Sequence, residues 1–271
     1  MSAIYGALGR RGQTPAPNLA GRMAMALAYR GPDGHAQVAG GAGRLGHLLL
    51  ATDPDRGAGL AREGELAVAC DARLDHRDDL LKALGRATAA TPTDAALILA
   101  AWRRWGPSCV QRLHGSFAFC LRDGASGRIF CARDRIGVKP FAYRLTDELF
   151  LFATEARAVA LASGAPSVDP LRVADFLLWR EVVDFTGTLF RDVLRLPPAH
   201  TLEITAAGST LRRYWEPTFR DPPTHDREEL VEALSEHLDR SVARQLSGRE
   251  RDACLLSGGL INVVRACRRI G

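Results

Sequence analysis

Short apolar, strand-like runs dominate the chain up to about residue 200. The runs at 4–8, 45–51, 66–70, 116–121, 128–133 and 149–153 are short, largely apolar and of strand length. Three stretches carry instead the 3.6-residue spacing of a helix. Residues 19–28 set Leu19, Met23, Ala26 and Leu27 on one side and stop before the turn sequence Arg30-Gly31-Pro32-Asp33-Gly34. Residues 77–84 follow Asp75, a candidate cap, and stop at Gly85; residues 93–105 are opened by Thr91-Pro92 and closed by Gly106-Pro107. Strands on both sides of helix pairs imply a layered α+β domain rather than a barrel.

Beyond residue 168 the pattern changes. Asp169-Pro170 opens a further helix to Trp179, and strands at 201–205 and 209–215 flank Ala206-Ala207-Gly208. Residues 216–226 hold Pro217, Pro222 and Pro223 and read as a linker. Residues 227–246 then form an amphipathic helix with Leu230, Leu234, Leu238 and Val242 on one face. The expected organisation is a domain over 1–215, a linker over 216–226 and the start of a second domain over 227–271.

Composition narrows the function classes. The chain has 271 residues, 46% hydrophobic and 25% charged, which suits a globular protein with a sizeable core. The net charge of +5 comes from arginine, since Lys82 and Lys139 are the only lysines. No basic block is interleaved with aromatics, so a nucleic-acid partner is not expected. The six cysteines form no C-x-x-C pair, and Cys120 and Cys131 sit inside apolar runs, as small hydrophobes do. Neither a disulfide framework nor a zinc site is expected, and histidines 35, 47, 76, 114, 200, 225 and 237 have no metal spacing. The start Met1-Ser2-Ala3-Ile4-Tyr5-Gly6 lacks the layout of a signal peptide, and no apolar run reaches bilayer length. A cytoplasmic protein with no membrane partner is the expectation. Trp102 and Trp105, three apart on one helix, read as core anchors.

Seven motifs agree in order. They are Arg30 to Gly34; Asp75-His76-Arg77; Thr93-Asp94; Gly115-Ser116-Phe117-Ala118-Phe119; Arg133-Asp134-Arg135-Ile136-Gly137-Val138-Lys139-Pro140; Leu196-Pro197-Pro198; and Leu255 to Leu260. Together they resemble the asparagine synthetase family, in which an N-terminal glutaminase precedes a PP-loop synthetase. The resemblance implies an Ntn-type αββα sandwich, followed by the first helix and strand of an α/β PP-loop domain. The turn at Arg133 to Pro140 has a plainer reading of its own: Gly137 and Pro140 set a tight turn while Arg133, Asp134 and Arg135 pair locally on the surface.

The same resemblance implies roles for particular residues. The family nucleophile is a cysteine after the initiator methionine, with its own α-amino group as base; that position here is Ser2. An arginine that grips the glutamine carboxylate corresponds to Leu49, and the Asn-Gly pair of the oxyanion hole corresponds to Cys70-Asp71. Asp94, at the place that binds the glutamine ammonium, is retained, and it also suits first-turn support of its helix. Loss of three pocket elements implies a degenerate glutaminase, as in the β-lactam synthetase and lasso-peptide cyclase branches, where a nitrogen already on the substrate attacks an adenylated carboxylate.

The segment Cys254-Leu255-Leu256-Ser257-Gly258-Gly259-Leu260 resembles the PP-loop, so Leu256, Ser257, Gly258 and Gly259 are the candidate ATP-binding residues. The family loop continues with an acid and a hydroxyl, whereas Ile261 and Asn262 stand here. ATP and Mg2+ are thus implied by the resemblance, while the loop is expected to be incomplete, the synthetase domain truncated and the chain inactive alone. The implied partners are a small-molecule or peptide carboxylate substrate and a separate synthetase subunit or precursor peptide. The alternatives are an asparagine synthase (glutamine-hydrolysing), a Ser2 N-terminal-nucleophile amidohydrolase, and a non-catalytic docking subunit for a lasso-peptide cyclase-type synthetase.

Overall fold

In a computed structural model of the protein, the described residues are 2–39, 42–52, 57–85, 92–164, 166–180, 183–219, 221 and 226–245. Two six-stranded antiparallel sheets carry the architecture. The first runs in the order β10 (Leu194–Arg195), β8 (Ala142–Leu145), β9 (Leu149–Ala153), β1 (Ala3–Gly9), β3 (Gly43–Leu49) and β2 (Gly34–Ala39). The second runs β12 (Gly208–Arg213), β11 (His200–Thr205), β7 (Arg128–Arg133), β6 (His114–Asp123), β5 (Leu66–Asp75) and β4 (Leu60–Glu63). Helices α1 (Asn18–Leu27) and α4 (Ala156–Ala162) cover the first sheet; α2 (Arg77–Ala83) and α3 (Asp94–Trp105) cover the second.

Strand alternation makes this αββα sandwich. In β1, Ala3, Tyr5 and Ala7 pack under α1 and α4, while Ile4 and Leu8 face the other sheet. In β5 and β6, Val68, Cys70, Phe117, Phe119 and Leu121 meet α3, and Ala67, Ala69, Ala118 and Cys120 point inward. These small inner residues leave room for Phe141, Phe150 and Phe152 of the facing sheet. Phe141 and Phe152 stack at 5.2 Å, and Phe152 lies over Gly6, where an added Cβ would come within 2.2 Å of the ring. Each phenylalanine so buried contributes about 1.5–3 kcal/mol relative to exposure. On the far side α3 buries Leu97, Ile98, Leu99 and Trp102, with Trp102 4.8 Å from Phe130.

Local signals act as chemistry dictates. Thr93 caps α3 by accepting from the Ala96 N–H at 3.2 Å, and Gly106 closes it at φ 55°. The residue before α2 is His76, in the left-handed region at φ 54°, rather than Asp75. β5 continues to Asp75, beyond its apolar run, because ten successive pairs with β6 hold it from Leu66↔Asp123 to Asp75↔His114.

Between Ser167 and Arg191 the chain leaves the sandwich and returns. The base is closed by the Val168↔Phe190 bridge, by Asp169 N–H to Leu189 O at 3.0 Å and by Arg191 N–H to Ser167 O at 2.8 Å. This excursion carries α5 (Pro170–Trp179), capped by the Asp169 carboxylate on the Leu171 N–H at 3.0 Å.

The compact sandwich unit ends at Glu216, and the chain from Pro217 is a unit of its own. Its described helix, α6 (Arg227–Gln245), is capped by Asp226, which accepts from the Glu228 N–H at 2.7 Å. The strand expected at 252–256 and the loop Leu256, Ser257, Gly258 and Gly259 lie outside the described residues. Among the described residues no helix is long and apolar enough to cross a membrane.

Candidate functional site

Ser2 stands directly before β1, on the same strand parity as Ile4 and Leu8, which face the inter-sheet layer. Its Oγ accepts the Leu50 N–H at 3.0 Å, tying the start of β1 to the end of β3. The next residues are fixed by Thr154: its Oγ1 accepts the Ile4 N–H at 2.8 Å and its N–H donates to Ile4 O at 2.8 Å. The candidate nucleophile is thus half-buried at an ordered strand start.

The two sheets meet chemically around Asp71. Its carboxylate is buried among apolar residues of β5 and accepts from Lys139 Nζ at 2.6 Å, with side-chain exposures of 6% and 12%. Among the described residues, no hydrogen-bond partner reaches the other oxygen, Asp71 Oδ2. From β3, His47 accepts the Gly59 N–H on Nδ1 at 3.4 Å, while the Cys70 N–H donates to Gly59 O at 2.7 Å. A Cβ at Gly59 would fall 1.9 Å from Cys70 O and 2.6 Å from His47 Cδ2, so only glycine permits this approach. Burial and, secondly, the Lys139 ammonium pull the His47 pKa down to about 4, which leaves the imidazole neutral at pH 7.

Lys139 is delivered by the turn after β7, whose tip is exposed at Ile136 and Val138 but whose Asp134 is buried. Asp134 is 1% exposed and accepts four backbone N–H groups: Val138 at 2.9 Å, Lys139 at 3.0 Å, Ile136 at 3.2 Å and Phe117 at 3.3 Å. Arg133 donates to the carbonyls of Gly137 and Lys139 at 2.7 Å and of Leu196 at 2.8 Å. Gly137 takes φ 70° to let the loop close. Local surface pairing of Arg133, Asp134 and Arg135 is therefore replaced by a buried backbone cradle, because the turn folds back against β6.

Asp94 is 3% exposed at the first position of α3, and Thr93, not Asp94, supplies the cap. Its carboxylate pairs with Arg77 of α2 and accepts the Leu74 N–H at 3.4 Å. Arg77 also donates to Pro92 O. Asp94 thereby joins α2, α3 and β5, and its charge is already answered by a guanidinium.

The cluster has limited chemistry of its own. Cys70, Cys109, Cys120 and Cys131 are free and buried; burial pushes the Cys109 thiol up to about 12 and raises Cys70 and Cys131 as well. These three stay protonated thiols at neutral pH. Among the described residues no group of three metal-ligating side chains is assembled, although the His76 and His114 rings come to 5.3 Å. Leu49, at the place of the carboxylate-gripping arginine, closes β3 opposite Gly34. Sequence reasoning gave no role to His47 or to the pairing of Lys139 with Asp71. The available signal was that Lys139 is one of only two lysines in an arginine-rich chain.

The layers, with β1 central and Ser2 at its head, define the Ntn amidotransferase class of fold. The glutamine amidotransferase domain family matches residues 1–215, and the chain belongs to that family. It is similar to the glutamine-hydrolysing asparagine synthetase 3 of Bacillus subtilis (strain 168), 29% identical over 249 residues, covering 88% of this chain and 40% of that protein. The putative glutamine-hydrolysing asparagine synthetase of Mycobacterium tuberculosis (strain H37Rv) is 31% identical over 195 residues, 69% of this chain and 30% of that protein. Among solved structures, glutamine phosphoribosylpyrophosphate amidotransferase from B. subtilis, complexed with ADP and GMP, shares the fold. Its TM-score is 0.58 at 16% identity, over 99% of this chain and 64% of that one. The chain thus spans well under half the length of the curated relatives it matches.

Proposed function

We propose that this is an asparagine-synthetase-like amidotransferase domain that does not release ammonia from glutamine. In this reading it belongs to a protein of the ATP-dependent amide-forming class, which adenylates a carboxylate for attack by a nitrogen already on the substrate. The observation that carries the reading is the buried Lys139–Asp71 pair. Hydrolysis of a carboxamide places negative charge on its oxygen, and donors aimed at that oxygen supply much of the catalysis. At the place the resemblance gives to those donors stands a carboxylate, with a lysine already engaged on it. Asp94, the retained ammonium ligand, is likewise engaged by Arg77.

For ATP and Mg2+, Ser257, Gly258 and Gly259 have the backbone chemistry of a phosphate cradle, but Ile261 and Asn262 offer neither an anionic nor a hydroxyl ligand for the metal. The group does not fit these residues as they stand, and no step is derived through it. The test is ammonia and glutamate release from glutamine by the purified protein. Turnover should stay at the level of buffer, unchanged by Ser2→Ala; glutamine hydrolysis that Ser2→Ala abolishes would overturn the proposal. The exposed apolar surface of α5 favours a second, compatible role in docking.

A further inference from the structure

Strand alternation sorts the four described free cysteines into two layers. Cys70 and Cys109 belong to the layer under α3, while Cys120 of β6 and Cys131 of β7 point between the sheets. Cys120 and Cys131 stand directly opposite each other in the ladder. The kind of opposition follows from the end of that ladder. The Asp134 N–H donates to Phe117 O at 2.8 Å, which makes Phe117 and Asp134 a hydrogen-bonded pair. Alternation then makes Ala118↔Arg133 and Cys120↔Cys131 non-hydrogen-bonded pairs. In such pairs the side chains come closest and the Cα atoms lie about 4.5 Å apart. A disulfide spans Cα separations of about 4.4–6.8 Å, so this backbone admits one without rearrangement. The Cys131 thiol is already hydrogen-bonded with Cys120. Cys70 sits opposite Phe119 and faces away from both.

We propose that Cys120 and Cys131 form an oxidative modification site, a pair of thiols that a peroxide joins into a disulfide across the middle of the second sheet. The first thiol takes an oxygen from hydrogen peroxide, giving a sulfenic acid and one water. The second thiol then displaces that hydroxyl, forming the S–S bond and a second water. Each sulfur gives up one electron, and the two peroxide oxygens are reduced to water. Burial sets the timing. Both side chains are 0% exposed in the closed sandwich, so the oxidant reaches them through opening of the ladder, and slowly. The hairpin itself is local: β6 and β7 are joined by a short turn in which Asp123 accepts the Ala125 N–H at 3.0 Å and the Ser126 hydroxyl at 2.7 Å. A hairpin of this kind forms before distant layers pack, so the thiols face each other while the inner surface is still open to water. The pair makes no use of Ser2 or of the Lys139–Asp71 site, and its chemistry is independent of the proposed function.

The test treats the full chain with hydrogen peroxide, once folded and once during refolding from urea, then alkylates the remaining thiols and maps the peptides by mass. A peptide pair linked through Cys120 and Cys131, lighter by two hydrogen atoms and separated by dithiothreitol, is expected. It should accumulate about tenfold faster or more during refolding than in the folded protein. A link made on refolding alone upholds the site and dates it to the time before the sheets close. In Cys131→Ala the Cys120 peptide should instead carry added oxygen, since no opposing thiol is left to displace it. Absence of the link in both samples would overturn the proposal. So would Cys120 or Cys131 joined to any other cysteine in its place.

Discussion

Asp134 and Asp71 are both buried carboxylates, and a single residue, Lys139, serves them both. Its N–H donates to Asp134 at 3.0 Å and its Nζ to Asp71 at 2.6 Å. Around Asp134 the donors are backbone amides, three of its own turn and one of β6, which no point substitution except proline removes. Around Asp71 the sole described donor is one flexible side chain, and one carboxylate oxygen lacks a described partner. The difference separates two uses of buried charge. One organises a loop through redundant bonds; the other depends on a distant residue and fails at once when that residue changes.

The sharpest way to break the comparison is Lys139→Met. The backbone amide stays, so Asp134 keeps its bonds, but Asp71 is left charged and buried; a loss of about 3–5 kcal/mol is expected by urea denaturation. Adding Asp71→Leu should restore most of it, since removing both charges removes the desolvation penalty. Asp134→Asn comes next. An amide group facing N–H donors strands at least one of them, for an expected loss of about 2–3 kcal/mol and faster amide exchange at Val138 and Lys139.

An effect of similar size is expected in the pH dependence. His47 is buried and faced by the Lys139 ammonium, and its folded pKa is about 4 against an ordinary 6.5. Between those values the unfolded chain binds the extra proton, so the stability His47 contributes is present above pH 6.5 and lost as pH falls toward 4. About 2–3 kcal/mol should disappear between pH 7 and 4.5, and His47→Gln should flatten that slope. A wild-type profile identical to that of the variant would show His47 to be more open to water than its surroundings imply.

The strands built on short apolar runs were legible in the sequence, as was α1 from its apolar spacing, and α3 and α5, whose caps are explicit. The weakest elements were not. β2 reads Gly34-His35-Ala36-Gln37-Val38-Ala39 and is largely exposed, so it has no apolar face to betray it; its register comes from β3. The second half of β5 was hidden for a different reason: Asp71 and Arg73 interrupt the apolar run, yet the ladder with β6 continues through them. The loop around Asp134 was recognised as a turn but placed on the surface, since nothing local reveals that β6 lies over it. Cys70-Asp71 and Asp94 were recognised as positions, while their partners Lys139 and Arg77 come from the tertiary fold: Lys139 is 68 residues from Asp71.

The closed base of the excursion has an evolutionary corollary. Because Ser167 and Arg191 already meet, the chain between them can lengthen, shorten or change its composition at little more than the entropy of closing a loop, while the ladders of both sheets keep their register. Changes of sequence or length within this stretch should therefore disturb the sandwich less than changes in the strands that carry it.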